Sequence, residues 1–218
     1  MVRALRRIGM TEATPVDPGY EAVEWQRRQV LFPDWTPADP EPHEENVEVY
    51  SNAGEVELFL NGKSLGSKAT RKDAGALNWK VPYQPGTLKA VARTDGVEVA
   101  SDVLITARPC TQLNLLSDRG EVTTDFHDVS TVEIQLLDEK QTVVPNAENL
   151  ITLEISGPGK IIAVDSGSVV STEPFQARQR KAFQGRAIAI VRATAAGKIT
   201  LTAKVDGLPP ASIELTGR

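Results

Sequence analysis

Cysteine is almost absent. Cys110 is the only one in 218 residues, so no disulfide can form within the chain. The redox compartment stays open, because a chain this long needs no covalent staple to build its cores. Histidine is nearly as scarce, with only His43 and His127. His43-Glu44-Glu45 begins like a zinc-protease motif, but the second histidine would have to stand where Val47 is. Two histidines and one cysteine make no zinc constellation, and no cofactor is expected. Basic residues are outnumbered, 24 Lys and Arg against 29 Asp and Glu. A net charge of −5 argues against nucleic acid as a partner, which would need a basic face to meet phosphates. Arg3, Arg6 and Arg7, with Arg27 and Arg28 further on, read as solvated or interdomain charges. No stretch approaches the roughly 18 consecutive apolar residues of a membrane helix, and no membrane partner is expected. The first residues also lack the apolar run of a secretory signal, and Ile8-Gly9-Met10-Thr11-Glu12 after Arg6-Arg7 is not a twin-arginine pattern. Any export signal is expected upstream.

What the chain does have is alternation. Sixteen Gly and fourteen Pro punctuate segments rich in Val, Ile and Thr, which favours short strands and frequent turns over long helices. Val47 and Val49 share a face in 46–51, as do Val56, Leu58 and Leu60 in 55–60, and Leu77, Trp79 and Val81 before Pro82. Further on, Val132, Ile134 and Leu136 alternate with Glu133 and Gln135. Ile151, Leu153 and Ile155 alternate with Thr152 and Glu154. Ile199, Leu201, Ala203 and Val205 alternate with Lys198, Thr200, Thr202 and Lys204. A period of two means one buried and one wet face, as in an antiparallel sandwich. Asn61-Gly62 and Asp95-Gly96 predict two-residue hairpin turns, since both residues take positive φ cheaply. Asp206-Gly207 repeats the second of these at an offset of 111 residues, each preceded by a strand that opens on Gly86 or Gly197. That spacing is the size of one immunoglobulin-like sandwich. The expectation is an all-β chain of two tandem immunoglobulin-like antiparallel β-sandwiches, 1–108 and 109–218. Residues 2–8 are expected to open the first as a strand. Pro33, Pro37, Pro40 and Pro42 exclude a central strand or helix interior, so the Pro-rich stretch reads as an ordered excursion anchored by Tyr20, Trp25, Phe32 and Trp35.

Chemistry is hard to find. Cys110 has no histidine near it in sequence, and no phosphate-cradling Gly-x-x-x-x-Gly-Lys-Ser/Thr loop occurs. Carboxylates are plentiful, but a glycosidase needs two at a set separation in a cleft, which small sandwiches rarely provide without long loops. The best loop is 165–185, with Asp165, Glu173, Arg178, Arg180 and Lys181. It reads either as a charged excursion pinned by Phe175 and Phe183 or as a docking or ligand-contact loop. Among the tryptophans, Trp79 belongs to the core by its strand parity. Trp35 is the better surface candidate for stacking on a sugar ring, yet packing of the Pro-rich excursion is its leading role. The candidate ligand-binding or docking residues are therefore Trp35, Asp165, Glu173 and Arg180, and no catalytic residue is expected.

Several stretches resemble bacterial glycoside hydrolase family 2 enzymes of the β-galactosidase-like group. The first is Val47-Glu-Val-Tyr-Ser-Asn-Ala-Gly-Glu-Val-Glu-Leu-Phe-Leu-Asn-Gly-Lys-Ser-Leu-Gly66, reinforced by Trp79-Lys-Val-Pro-Tyr-Gln-Pro-Gly-Thr-Leu-Lys-Ala-Val91. Gly157-Pro-Gly-Lys-Ile-Ile-Ala-Val-Asp165 and Arg180-Lys-Ala-Phe-Gln-Gly185 look like the same enzymes' following domain. Arg27-Arg-Gln-Val-Leu-Phe-Pro-Asp-Trp35 looks like the stretch after their barrel. The resemblance implies a C-terminal accessory region that packs against a catalytic (β/α)₈ barrel and shapes its cleft or oligomer contacts. A barrel takes roughly 250 residues, so it lies outside this chain. A carbohydrate-binding module that holds an oligosaccharide or polysaccharide near the barrel is the alternative. A periplasmic or secreted parent protein is implied as well.

Overall fold

The computed structural model describes residues 1–8, 30–71, 73, 75–125 and 127–218. Tyr20 and Trp25, expected as anchors, lie outside the described residues. The chain separates into two compact units, Met1–Thr106 and Ala107–Arg218. Strands are the only regular elements of both among the described residues.

The strands of the first unit are β1 (Val2–Ile8), β2 (Val30–Phe32), β3 (Glu44–Ser51), β4 (Glu55–Leu60), β5 (Lys63–Ala69), β6 (Leu77–Pro82), β7 (Thr87–Thr94) and β8 (Val97–Ile105). They form two four-stranded antiparallel sheets, ordered β2-β1-β3-β6 and β5-β4-β7-β8. Alternation decides which side chains go inside. Val47 and Val49 of β3 and Leu77, Trp79 and Val81 of β6 meet Val56 and Leu58 of β4 and Leu88 and Ala90 of β7 in one apolar cluster. Each such Val or Leu contributes about 1.5–3 kcal/mol by leaving water. The Asn61-Gly62 turn has φ of 51° and 81°, and Asp95-Gly96 has 52° and 78°, so both hairpins have the left-handed pair expected of them.

The Pro-rich stretch forms no strand from Pro33 to His43. It crosses the unit as a strap, and Trp35 is its anchor: the indole is 0% exposed and its Nε1–H donates to the Gln84 carbonyl at 3.0 Å. Trp35 is thereby corrected as a surface candidate. A ring buried on both faces offers no platform to a sugar, and its work is packing.

The second unit contains β9 (Gln112–Ser117), β10 (Glu121–Val122), β11 (Ser130–Leu137), β12 (Leu150–Ser156), β13 (Gly159–Asp165), β14 (Gln179–Lys181), β15 (Arg186–Ala193), β16 (Gly197–Lys204) and β17 (Ala211–Gly217). One sheet runs β13-β15-β11-β9 and the other β10-β17-β16-β12-β14. Only the short β10–β17 pair is parallel among the described strands. Val132, Ile134 and Leu136 on one side face Ile151, Leu153, Ile199 and Leu201 on the other, all essentially without solvent contact. The hairpin at Asp206-Gly207 differs from its counterpart. Only Gly207 has positive φ, at 80°, and the Leu208 N–H closes a turn on the Val205 carbonyl at 3.1 Å. Pro209 and Pro210 cannot donate to a ladder, so β17 begins only at Ala211 and the loop is wider than two residues.

Candidate functional site

Three of the four candidate residues meet at one place, where β13 ends and the chain loops out before returning as β14. Arg180 is the middle residue of β14, and strand parity turns it inward between the exposed Gln179 and Lys181. It is 2% exposed. A guanidinium so deeply placed needs partners, because a bare buried charge is prohibitively costly. Its Nη2 donates to Asp165 Oδ1 at 2.5 Å and its Nη1 to the Glu173 carbonyl at 2.9 Å. The Glu173 carboxylate lies 3.8 Å from Nε, and the Phe175 ring centroid lies 5.3 Å from the guanidinium carbon.

Both carboxylates are held elsewhere too. Asp165 Oδ1 also accepts the N–H groups of Ser166 (2.7 Å) and Gly167 (3.3 Å). Burial pushes the Asp165 carboxyl up, but those two N–H groups and the Arg180 charge outweigh it and leave its pKa below the ordinary value. Asp165 is therefore ionised at neutral pH. Glu173 accepts the Lys181 N–H at 3.0 Å and the Ser171 hydroxyl at 2.9 Å.

The loop thus has a fixed base and an uncovered tip. Val169 is 97% exposed, Val170 83% and Phe175 60%. This corrects the expectation that Phe175 pins the loop to the sandwich: Arg180 pins it, and Phe175 lies outside against the guanidinium. Beside the loop, the outer face of the β13-β15-β11-β9 sheet forms a groove of about 580 Å³ lined by Leu116, Thr131, Glu133, Asp165, Ser166 and Ile188, among others. The Ser166 hydroxyl is buried there without a hydrogen-bond partner among the described residues. Such a groove offers fixed acceptors beside an apolar floor.

Other candidates for chemistry carry none. Among the described residues no group of three or more His, Cys, Asp or Glu could hold a metal ion. Burial pushes the Cys110 thiol up, away from the thiolate a nucleophile needs.

A second charged cluster, in the first unit, escaped the sequence reading. Arg6 was expected among solvated or interdomain charges, yet it is buried with Asp34 and Glu45 of its own unit. Arg6 Nη2 lies 3.0 Å from Asp34 Oδ1 and Nη1 lies 3.3 Å from Glu45 Oε1. The signal was present in β1, where Arg6 shares inward parity with the buried Val2 and Ala4. His43, read from sequence only as a failed zinc motif, joins this cluster through Glu45.

Comparison with known proteins places these sandwiches. Residues 113–214 match the model of the glycoside hydrolase family 2 C-terminal domain 5, and residues 43–100 match a domain of unknown function, DUF4982. The chain belongs to the C-terminal domains of glycoside hydrolase family 2. It is 38% identical over 203 residues to the β-galactosidase BoGH2A of Bacteroides ovatus, covering 88% of this chain and 23% of that protein. A putative β-glucuronidase of Formosa agariphila is 31% identical over 78% of this chain and 17% of its own length. The crystal structure of a family 2 member from Bacteroides cellulosilyticus superposes with a TM-score of 0.90 and 33% identity, over 100% of this chain and 28% of the other. The chain therefore spans a quarter or less of the length of these two curated relatives.

Proposed function

We propose that this chain is a non-catalytic accessory region of a glycoside hydrolase, made of two sandwich domains that pack against a catalytic (β/α)₈ barrel. The observation that carries the reading is the match of 113–214 to a family 2 C-terminal domain, in relatives more than four times as long as the matched stretch. The loop between β13 and β14 is the contact we assign: its apolar tip is uncovered, while its base is locked by Arg180. In that position it would shape the outer cleft or an oligomer contact. In the longer enzyme, Val169→Asp with Val170→Asp should lower the melting temperature of the catalytic part and leave the isolated 218-residue chain unchanged. An unchanged enzyme sinks the assignment. The isolated chain should release no chromophore from aryl β-galactosides or β-glucuronides, and turnover would overturn the non-catalytic reading.

The groove favours a second reading, that of a carbohydrate-binding module. Asp165, held by three donors at its rim, and the unpartnered Ser166 hydroxyl are groups that sugar hydroxyls can meet. Trp35 and Trp79 are both buried and give it no aromatic platform, and Trp25 lies outside the described residues. A glycan-binding screen of the chain tests it, with Ser166→Val as the variant expected to abolish any saturable binding.

A further inference from the structure

His43 sits at the end of the strap, immediately before β3, and its imidazole is placed between two acceptors. Nδ1 lies 2.6 Å from the Glu41 carbonyl oxygen and Nε2 lies 2.9 Å from Glu45 Oε1. A neutral imidazole has one N–H and one lone pair, so one of these contacts would set a lone pair against an oxygen. Both are hydrogen bonds only when the ring carries two protons. The charges nearby agree. Among the described residues, Arg6 is the single cation other than the ring itself that faces the buried carboxylates Asp34 and Glu45, and Oδ2 of Asp34 has no hydrogen-bond partner. A protonated His43 brings the four groups to neutrality.

The same ring is a mechanical part of the strap. It stacks on Tyr83, with centroids 5.4 Å apart and planes inclined by 29°, and Tyr83 in turn packs against Trp35 at 5.4 Å. The His43 carbonyl accepts the Tyr83 N–H at 2.8 Å just beyond β6. The groups facing the ring are thus Asp39 and Glu41 from the strap, Glu45 from β3 with Arg6 of β1 behind it, and the Tyr83 ring after β6.

We propose that His43 is a proton-operated latch: doubly protonated, it clamps the strap of residues 33–42 to β3 and to the end of β6, and loss of one proton loosens the strap. The bond to Glu45 first, then the Glu41 carbonyl, hold the imidazole pKa above its ordinary 6.5 against a smaller effect of burial. A folded-state pKa above the unfolded one gives an attachment complete below pH 6.5, lost as pH rises through the folded value. The strap is therefore expected to open on the alkaline side, not in acid.

The test uses the whole 218-residue chain. The His43 ring is titrated by NMR, with His127→Gln separating the two histidines, while hydrogen exchange of the Trp35 indole N–H reports strap opening. The latch predicts a His43 pKa above 6.5, and Trp35 protection that falls about tenfold for each unit of that elevation as pH passes through it. In His43→Gln the protection should be low and independent of pH beyond the intrinsic exchange rate. If that variant does not fold, Glu45→Gln keeps the ring and should bring its pKa down toward 6.5. A His43 pKa at or below 6.5, or Trp35 protection with the same pH profile in wild type and His43→Gln, overturns the proposal.

Discussion

Arg180 and Trp35 are side chains whose surroundings assign each one task. Arg180→Ala removes the guanidinium that joins Asp165, the Glu173 carbonyl and the Phe175 ring. Breaking a fully buried pair costs roughly 3–5 kcal/mol. Asp165 keeps part of its hydration, so we expect a loss of about 2–3 kcal/mol by urea denaturation. Trp35→Ala should cost about 3–5 kcal/mol, as expected of an emptied aromatic site. Trp35→Phe should cost far less, about 0.5–1.5 kcal/mol for the lost bond to Gln84 plus a little packing. A small Trp35→Ala effect would place the ring outside the core. Both residues were singled out from sequence, and for Trp35 the burial agrees with the packing role and removes the sugar-stacking one. Composition marks an aromatic among prolines as an anchor or a platform alike, and only the strap's path over the sheet decides between them.

The strands were legible because alternation is a local property. Ile199, Leu201 and Ala203 could be assigned a face without knowing what lay opposite. The charged clusters were not, since Arg6 finds Asp34 and Glu45 at separations of 28 and 39 residues. No window along the chain contains such pairs. Turns fall between these cases. Asn61-Gly62 behaves as its residues dictate, while Asp206-Gly207 is reshaped by Pro209 and Pro210. Gly62 allows a clean check, since φ is +81° and an added Cβ would meet nothing within 4 Å. Gly62→Ala should cost about 1 kcal/mol from backbone strain alone. Gly120→Ala, at a site with neither positive φ nor a neighbour within 4 Å, should be neutral or stabilising by up to about 1 kcal/mol. Equal effects at the two sites would contradict the left-handed assignment.

Taken whole, the chain is held on its acid side by carboxylates of both units, Glu57 and Asp73 in the first and a more buried set in the second. Asp118, Asp138 and Asp165 are pushed up by burial, and each is brought below its ordinary value by the N–H groups and charges around it. Asp138 shows the pattern best, accepting the N–H groups of Arg108, Lys140 and Thr142. Depressed folded-state values mean that this stability is present above the ordinary 3.8 and is lost as pH falls through the folded values. His43 acts with the opposite sign in the first unit. Melting temperature against pH should therefore form a plateau that falls away below about pH 4 and declines again above 6.5. Asp138→Asn should flatten the acid limb and leave the alkaline one alone. An acid limb unchanged in that variant would assign the carboxylates a lesser part.

The loop between β13 and β14 keeps the residues that set its shape apart from those it displays. Asp165, Glu173 and Arg180 tie its two ends, while Val169 and Val170 lie in open solvent. A foreign peptide spliced in place of residues 168–170 would leave every one of those ties intact. The sandwich can thus serve as a display scaffold, presenting a grafted epitope between two ends clasped by a single guanidinium.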